Sequence, residues 1–218
     1  MPEILAPGRH PLVAREGWGH IAVSVTAAAA ASWLWGPLGS APFWFIALFV
    51  VQFFRDPVRP LPQGSRLVVC PADGRIVALG RAHDPYLDRP ALRVSIFMNI
   101  FNVHSNRSPV EGLVQKRWYQ PGTFVNAALD KASERNERNA LWLRTDSGAD
   151  IVVVQIAGLI ARRILCYVTE AAHVERGQRY GFIRFGSRVD LYLPEDAALR
   201  VALGDKVHGG QDIVAMLA

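Results

Sequence analysis

The chain has 218 residues, half of them hydrophobic, with a mean hydropathy of +0.14 and a formal net charge of +5. This hydropathy is high for a purely soluble protein and indicates a membrane segment, while the length allows one or two domains. Of the 24 basic residues only three are lysines, and the arginines are scattered, without a basic run or a nucleic-acid-binding motif. We therefore expect no nucleic-acid partner and favour an anionic lipid surface or an anionic substrate.

The first 56 residues contain two apolar runs. Ile21–Trp35 and Phe43–Phe54 carry no charge and are separated by a short link that begins at Gly36-Pro37. Neither run reaches the roughly 20 residues of a straight membrane-spanning helix, so residues 1–56 are predicted to form a membrane-associating helical hairpin. A cleavable signal peptide is the alternative, since the first run is followed by small residues, but a second apolar run directly after it argues against simple cleavage.

Arginines flank both outer ends of this predicted hairpin. Arg9 and Arg15 precede it, Arg55 and Arg59 follow it, and the link between the two runs carries no charge. By the positive-inside rule, both ends then lie on the cytoplasmic side. We predict a protein of the cell membrane whose main domain is at the cytoplasmic face.

The chain has two cysteines, Cys70 and Cys166. Both lie in apolar surroundings, and their spacing is not that of a metal site. We predict two reduced thiols packed in the core and no bound metal.

Residues 57–218 are predicted to form a β-rich catalytic domain, after a linker stiffened by Pro57, Pro60 and Pro62. Only Asn126–Glu137 has a convincing helical run. Many short strands with turn signals between them indicate a two-sheet sandwich or barrel, so the chain is mainly β, within the α+β class. The predicted strands are Leu67–Cys70, Arg75–Ala78, Arg93–Phe101, Gly112–Trp118, Leu141–Arg144, Ile151–Ile156, Arg163–Thr169 and the two halves of Tyr180–Leu193.

The stretch Tyr180–Leu193 carries the most distinctive chemistry. Apolar and polar residues nearly alternate on both sides of Gly186-Ser187, as in two half-buried strands that meet there. A serine hydroxyl held against the unshielded glycine carbonyl can attack it and move the acyl group from nitrogen to oxygen. Elimination of this ester leaves dehydroalanine, which hydrolyses to a pyruvoyl group at a new N-terminus. The alternative is an ordinary turn or bulge, where Gly and Ser are common.

Two further segments offer a base and a partner for it. His104 lies in a polar segment after an apolar strand, and Asp73 lies in Pro71-Ala-Asp-Gly74 just before another strand. If His104 faces Ser187, it can take the hydroxyl proton, and Asp73 can hold the imidazole tautomer. Each residue also has a structural interpretation, His104 as a satisfied core histidine and Asp73 as part of a tight turn.

A series of short motifs runs in order from Phe53 to Gly209: Phe53–Pro57, Pro71–Gly74, His104–Pro109, Asn126–Ser133, Asn136–Arg138, Gln155–Gly158, Gly177, Gly181, Phe185–Ser187 and Gly204–Gly209. Any one motif is weak, but the ordered set is specific. The set resembles that of phosphatidylserine decarboxylase proenzymes of the short prokaryotic type. Two positions depart from the longer members of that family, which have Leu-Gly-Ser-Thr at Phe185-Gly-Ser-Arg188 and a second histidine at Arg107.

The resemblance implies self-cleavage between Gly186 and Ser187 into a large chain, 1–186, and a small chain, 187–218. Ser187 would become a covalent pyruvoyl group, with His104 and Asp73 as the other members of the cleavage set. This group would decarboxylate phosphatidylserine to phosphatidylethanolamine through a Schiff base. The implied partners are the lipid substrate in its membrane and the two chains of the proenzyme, and dimerisation is common among such relatives.

The substrate phosphate and carboxylate need cationic donors near the pyruvoyl group. Arg107, Arg162 and Arg163 are the candidates, and the alternative for each is a solvated strand or loop charge. No residue set for a metal is predicted.

Two other functions fit parts of the chain. A membrane-tethered β-barrel binding module without catalysis would suit the turn-rich tail Leu203–Ile213, which resembles carrier barrels but lacks their modifiable lysine. A membrane-anchored serine hydrolase could use Asp73, His104 and Ser187, although the chain lacks the G-x-S-x-G motif and places its serine between two strands.

Overall fold

The computed structural model describes residues 12–122, 136–158, 164–184 and 187–218. The chain divides into two compact units, the first ending at Val58 and the second beginning at Arg59. The described part of the first unit is helical, and that of the second is built of β-strands and their connections. The helix predicted at Asn126–Glu137 falls mainly within 123–135, outside the described residues.

The first unit is a helical hairpin. A 3-10 turn at Arg15–Gly17 leads into helix α1, Trp18–Phe53, which reverses at Gly36. Gly36 has φ 65° and ψ −174°, a backbone conformation that strains residues with a side chain. A straight helix of this length would hold its ends about 50 Å apart, whereas the Ala14 amide donates to the Phe54 carbonyl at 2.7 Å. The predicted hairpin is confirmed.

The two arms of the hairpin contact each other and expose apolar side chains on their other faces. Trp44 Nε1 donates to Ser32 Oγ across the arms at 3.0 Å. Trp33 is 87% exposed and Leu38 is 91% exposed. Among the described residues, Arg15–Phe53 is the one helical segment long and apolar enough to cross a membrane. An exposed apolar surface of this kind is typical of membrane association, so the segment could anchor the chain to a bilayer.

Fourteen strands make up the described part of the second unit, and every strand pair is antiparallel. They are β1 (Leu67–Val69), β2 (Gly74–Asp84), β3 (Arg89–Met98), β4 (Ser105–Arg107), β5 (Gly112–Gln120), β6 (Arg138–Arg144), β7 (Asp150–Ile156), β8 (Ile164–Cys166), β9 (His173–Val174), β10 (Arg179–Ile183), β11 (Ser187–Leu193), β12 (Ala198–Leu199), β13 (Lys206–Val207) and β14 (Ile213–Met216).

These strands form one large sheet and two small ones. The large sheet has eight strands in the order β13-β2-β3-β11-β7-β6-β5-β9 and is curled into a half-barrel. The small sheets have the orders β1-β14-β12 and β4-β10-β8. The predicted fold class, mainly β with a helical hairpin at the N-terminus, is confirmed.

Strand β11 lies in the middle of the large sheet, between β3 and β7. Its side chains alternate between two layers, with Val189 and Leu191 in the main core and Tyr192 in a smaller apolar cluster. Arg188 and Asp190 share the face of Tyr192 and form a buried ion pair. Arg188 Nη2 donates to Asp190 Oδ2 at 2.9 Å, and Nε lies 2.8 Å from Oδ1. Pairing on both edges and packing on both faces hold this strand in one register.

The strand ends differ from the predicted ones where turns intervene. Strand β3 ends at Met98 rather than at Phe101, because Asn99 and Asn102 close a turn directly after it. The Asn102 amide donates to the Asn99 carbonyl at 3.1 Å, and the Asn102 side-chain oxygen accepts from the Asn99 amide at 2.8 Å. Asparagine favours this local bonding over a continued strand.

Both cysteines are free thiols, Cys70 fully buried and Cys166 partly buried. Burial raises the pKa of both thiols, since a thiolate is poorly solvated there. We expect iodoacetamide at mildly alkaline pH to leave Cys70 unmodified in the folded protein and to alkylate it after denaturation, as read by peptide mass spectrometry. Rapid alkylation of Cys70 in the native protein would contradict its place in the core.

Candidate active site

Ser187 lies where the chain passes from one sheet to another. Strand β10 ends at Ile183 in a small sheet, and β11 begins at Ser187 in the large sheet. The connection from β3 to β4 makes the reverse passage beside it. Ser187 pairs with Met98 at the end of β3, and the Ile183 amide donates to the His104 carbonyl at 3.2 Å. The topology therefore brings the backbone of His104 next to the segment that leads into Ser187.

Ser187 is fully buried and donates its hydroxyl to a sulfur atom. Its Oγ lies 3.4 Å from Met98 Sδ, and Asn106 Nδ2 donates to the same sulfur at 3.9 Å. A thioether is a weak acceptor, so this contact orients the hydroxyl without binding it strongly. The hydroxyl thus remains available as a nucleophile. Gly186, the other half of the predicted cleavage site, lies outside the described residues.

His104 is fully buried, and its ring lies 6.3 Å from the ring of Phe182. Its Nδ1 is 2.9 Å from the carbonyl oxygen of Asn102. Because a carbonyl can only accept, Nδ1 of the neutral ring carries the hydrogen and Nε2 carries the lone pair. Asn102 therefore makes the tautomer-fixing contact that was predicted for an aspartate, and Nε2 is the basic nitrogen of this histidine.

Asp73 is buried directly before β2 and pairs with Arg59. Arg59 Nη2 donates to Oδ2 at 2.7 Å, and Nη1 donates to Oδ1, which also accepts the Gly209 amide at 2.8 Å. A Cβ on Gly74 would meet the Phe97 carbonyl oxygen at 2.1 Å, so the turn that carries Asp73 requires glycine there. The described bonds of Asp73 thus connect the start of the second unit to the C-terminal tail.

Three motifs that are far apart in the sequence converge around this aspartate. The Arg107 amide donates to the Pro71 carbonyl at 2.8 Å, and the Gly210 amide donates to the Cys70 carbonyl at 2.8 Å. Arg107 is 5% exposed, and its Nη1 donates to the Gly177 carbonyl at 3.3 Å. Arg107 is therefore a buried arginine, not a solvated charge. The other candidate arginines, Arg162 and Arg163, lie outside the described residues.

Sequence reasoning missed two residues that contact the predicted set, Met98 and Asn102, and two that are linked to Met98 by hydrogen bonds, Asn106 and Gln155. Met98 and Asn102 lie at the end of an apolar strand and in the turn after it, where nothing in the pattern marks them. Asn106 is inside the quoted motif His104–Pro109, and Gln155 opens the motif Gln155–Gly158. A fully buried amide in an otherwise apolar strand such as β7 was the signal that could have identified Gln155.

Comparison with known proteins adds a second line of observation. The family model for phosphatidylserine decarboxylase matches residues 46–215. The chain belongs to the phosphatidylserine decarboxylase family. The match spans Asp73, His104 and Ser187, as well as the end of α1.

Several relatives of this family are similar over nearly their whole length, and each is named a phosphatidylserine decarboxylase proenzyme. The one from Aromatoleum aromaticum is 61% identical over 208 residues, covering 95% of this chain and 97% of the relative. The one from Nitrosomonas europaea is 59% identical over 210 residues, covering 94% and 95%. The one from Burkholderia pseudomallei is 58% identical over 208 residues, covering 95% and 96%. The resemblance stated from the motifs is confirmed.

Proposed function

We propose that this chain is the proenzyme of a phosphatidylserine decarboxylase, which cuts itself between Gly186 and Ser187 and converts phosphatidylserine to phosphatidylethanolamine. One observation carries the proposal: a buried serine begins β11 beside the His104 segment, in a chain whose relatives are named as such proenzymes. Neither a binding module nor a serine hydrolase is favoured by the relatives.

Cleavage begins with attack of Ser187 Oγ on the carbonyl carbon of Gly186, while His104 Nε2 takes the hydroxyl proton. The C–N bond between the two residues breaks as the ester forms, leaving a free amine on residue 187. Loss of the α-proton of residue 187 then breaks its Cβ–Oγ bond, and Gly186 departs as a carboxylate. Water converts the resulting dehydroalanine to a ketone and releases ammonia.

The fold suits a break at this position. Residues 187–218 contain three strands that pair with the rest of the second unit. Strand β11 pairs with β3 and β7, β13 pairs with β2, and β14 pairs with β1. Val189 and Leu191 are also fully buried in the main core. Backbone pairing and apolar packing would keep the small chain in place after the cut. Residue 187 would then remain next to Met98.

The pyruvoyl group would supply a carbonyl that condenses with the substrate amine and takes up the electrons released when CO2 leaves. We assign to His104 the return of a proton to the substrate carbon, since its buried ring lies 6.3 Å from Phe182 in the strand that precedes this junction. The apolar hairpin would hold the enzyme at the bilayer that carries its substrate, on the cytoplasmic face.

Denaturing mass spectrometry of the purified full-length protein tests this proposal. We expect two chains that part before residue 187, with the smaller one blocked to Edman degradation and its mass raised by borohydride reduction of the ketone. Under native conditions the two chains should co-elute in size-exclusion chromatography, because β11 pairs on both edges. An active preparation that consists of one intact chain with a free serine would contradict the proposal.

A further inference from the structure

A line of side-chain amides crosses the second unit and ends at the sulfur that contacts Ser187. It begins at Arg117, whose Nε donates to Asn139 Oδ1 at 2.7 Å. Asn139 Nδ2 donates to Gln155 Oε1 at 2.9 Å, and Gln155 Nε2 donates to Asn106 Oδ1 at 2.8 Å. Asn106 Nδ2 then points to Met98 Sδ at 3.9 Å. We call these four residues, Arg117, Asn139, Gln155 and Asn106, the amide relay.

The direction of the relay is set at its first member. A guanidinium has only donors, so Asn139 must present its oxygen to Arg117 and its NH2 group to the next residue. Gln155 therefore accepts through Oε1 and donates through Nε2, and Asn106 accepts through Oδ1 and has its NH2 group left to donate. Each bond polarises the next, so the last N–H group is a stronger donor than an isolated amide. The relay therefore delivers a donor, and not an acceptor, to the neighbourhood of Ser187.

Burying the polar amides of the relay costs solvation free energy, which indicates that the relay has a role beyond stability. Asn106, Asn139 and Gln155 are each fully buried, and burying polar amides is favourable only when their hydrogen bonds are made. The described hydrogen bonds along the relay join nitrogen to oxygen, except for that of Asn106 Nδ2, whose described acceptor is the weakly accepting sulfur of Met98. A Cβ on Gly181 would meet Gln155 Nε2 at 2.5 Å, so the neighbouring strand has no side chain where the relay passes.

We infer that Asn106 is a catalytic residue for self-cleavage, which presents its N–H group to the Gly186 carbonyl oxygen when that oxygen becomes negative during attack by Ser187. This inference rests on the proposed function, because it takes Ser187 Oγ as the attacking atom. Asn106 Nδ2 and Ser187 Oγ are separated by a single shared contact, Met98 Sδ, at 3.9 and 3.4 Å. During attack the donor exchanges a sulfur for a charged oxygen, which stabilises the transition state more than the starting chain.

The test is the rate at which newly made chains split, followed by pulse labelling and denaturing gels. Asn106→Leu keeps the branched shape of the side chain and removes both the N–H donor and the acceptor for Gln155. We therefore expect cleavage to slow by about 100-fold, as for loss of an oxyanion donor. Asn136→Leu is the matched control. Asn136 is also buried, but its Nδ2 donates to the Ala157 carbonyl at 2.7 Å, outside the relay. Thermal unfolding of both variants measures their structural cost.

A second variant gives a readout that a purely structural role would not move. In Asn106→Asp, the carboxylate keeps the acceptor for Gln155 but loses the donor, and protonation restores an O–H donor. We expect its cleavage rate, divided by that of the unchanged protein at each pH, to rise as the pH falls. The same ratio for Asn106→Leu should stay constant with pH. If Asn106→Leu does not fold, the inference is tested by the pH dependence of the Asn106→Asp cleavage-rate ratio alone.

The inference is overturned if both Asn106 variants split at the unchanged rate, or if Asn106→Leu slows cleavage no more than Asn136→Leu at an equal loss of melting temperature. A ratio for Asn106→Asp that is independent of pH also overturns it. Failure of the proposed function would give a different result, because the protein without any substitution would then remain an unsplit chain.

Discussion

Ser187→Ala should yield a single uncut chain without detectable decarboxylase activity. The substitution removes the one atom that can attack the Gly186 carbonyl, and without the cut no ketone forms at residue 187. The described contact of the hydroxyl is a weak one to Met98 Sδ at 3.4 Å, so its loss should cost no more than about 1 kcal/mol of folding free energy. Denaturing mass spectrometry and far-UV circular dichroism measure the two effects separately.

Ser105→Ala provides a matched control for this prediction. Ser105 is also buried and begins β4, one residue after His104, but it is not at the junction of β10 and β11. Chains with this change should still split before residue 187. A Ser187→Ala chain that splits there would show that another group performs the cleavage, and the assignment of Ser187 would fail.

His104→Gln should slow cleavage by about 10² to 10⁴-fold, the range expected for loss of a general base. Glutamine fills much of the same buried space and can still donate to the Asn102 carbonyl, but it has no basic nitrogen in place of Nε2. The measurement is the half-time of chain splitting after pulse labelling. Slow cleavage of His104→Gln leaves less mature enzyme in the sample. The decarboxylation rate of vesicle-bound phosphatidylserine should therefore be divided by the amount of split chain before the variant is compared with the unchanged protein.

His83→Gln is the control for the histidine prediction. The His83 side chain is 62% exposed on β2, with its Nε2 at 3.1 Å from Asp88 Oδ1, and it takes no part in the junction. This variant should split at the unchanged rate. Cleavage of His104→Gln at the unchanged rate would remove His104 from the mechanism.

The described hydrogen bonds of Asp73 go to groups other than His104. Its carboxylate is bound by the Arg59 guanidinium and by the Gly209 amide, while the His104 ring nitrogen Nδ1 faces the Asn102 carbonyl. A buried bidentate pair of this kind fixes geometry more than it adds stability, because both charges lose solvation. Asp73 therefore holds the linker after Val58 and the tail at Gly209 in one arrangement, and its part in cleavage stays a prediction.

Local patterns in the sequence determined the helical hairpin and many of the strands, and they drew attention to the dipeptide that is predicted to react. Two apolar runs, each too short to span, with Gly36 between them, are enough to specify a hairpin, because glycine accepts the positive φ that the reversal needs. Alternation of apolar and polar residues located β10 and β11 and the junction between them, since a half-buried strand repeats every two residues. The chemistry of Gly186-Ser187 by itself also fits an ordinary turn, and it is the resemblance carried by the ordered motifs that implies cleavage there.

Only the tertiary structure decided which residues distant in the sequence contact one another. Ser187 contacts Met98 across 89 positions of the chain, Gln155 contacts Asn106 across 49, and the Gly209 amide reaches Asp73 across 136. Such contacts are set by the order and register of strands in different sheets, which depend on the packing of the whole core and leave no periodic signal in any one segment. For this reason the sequence predicts Ser187 as the nucleophile, whereas the contact of His104 with Asn102, the sulfur of Met98 and the amide relay become visible only in the folded chain.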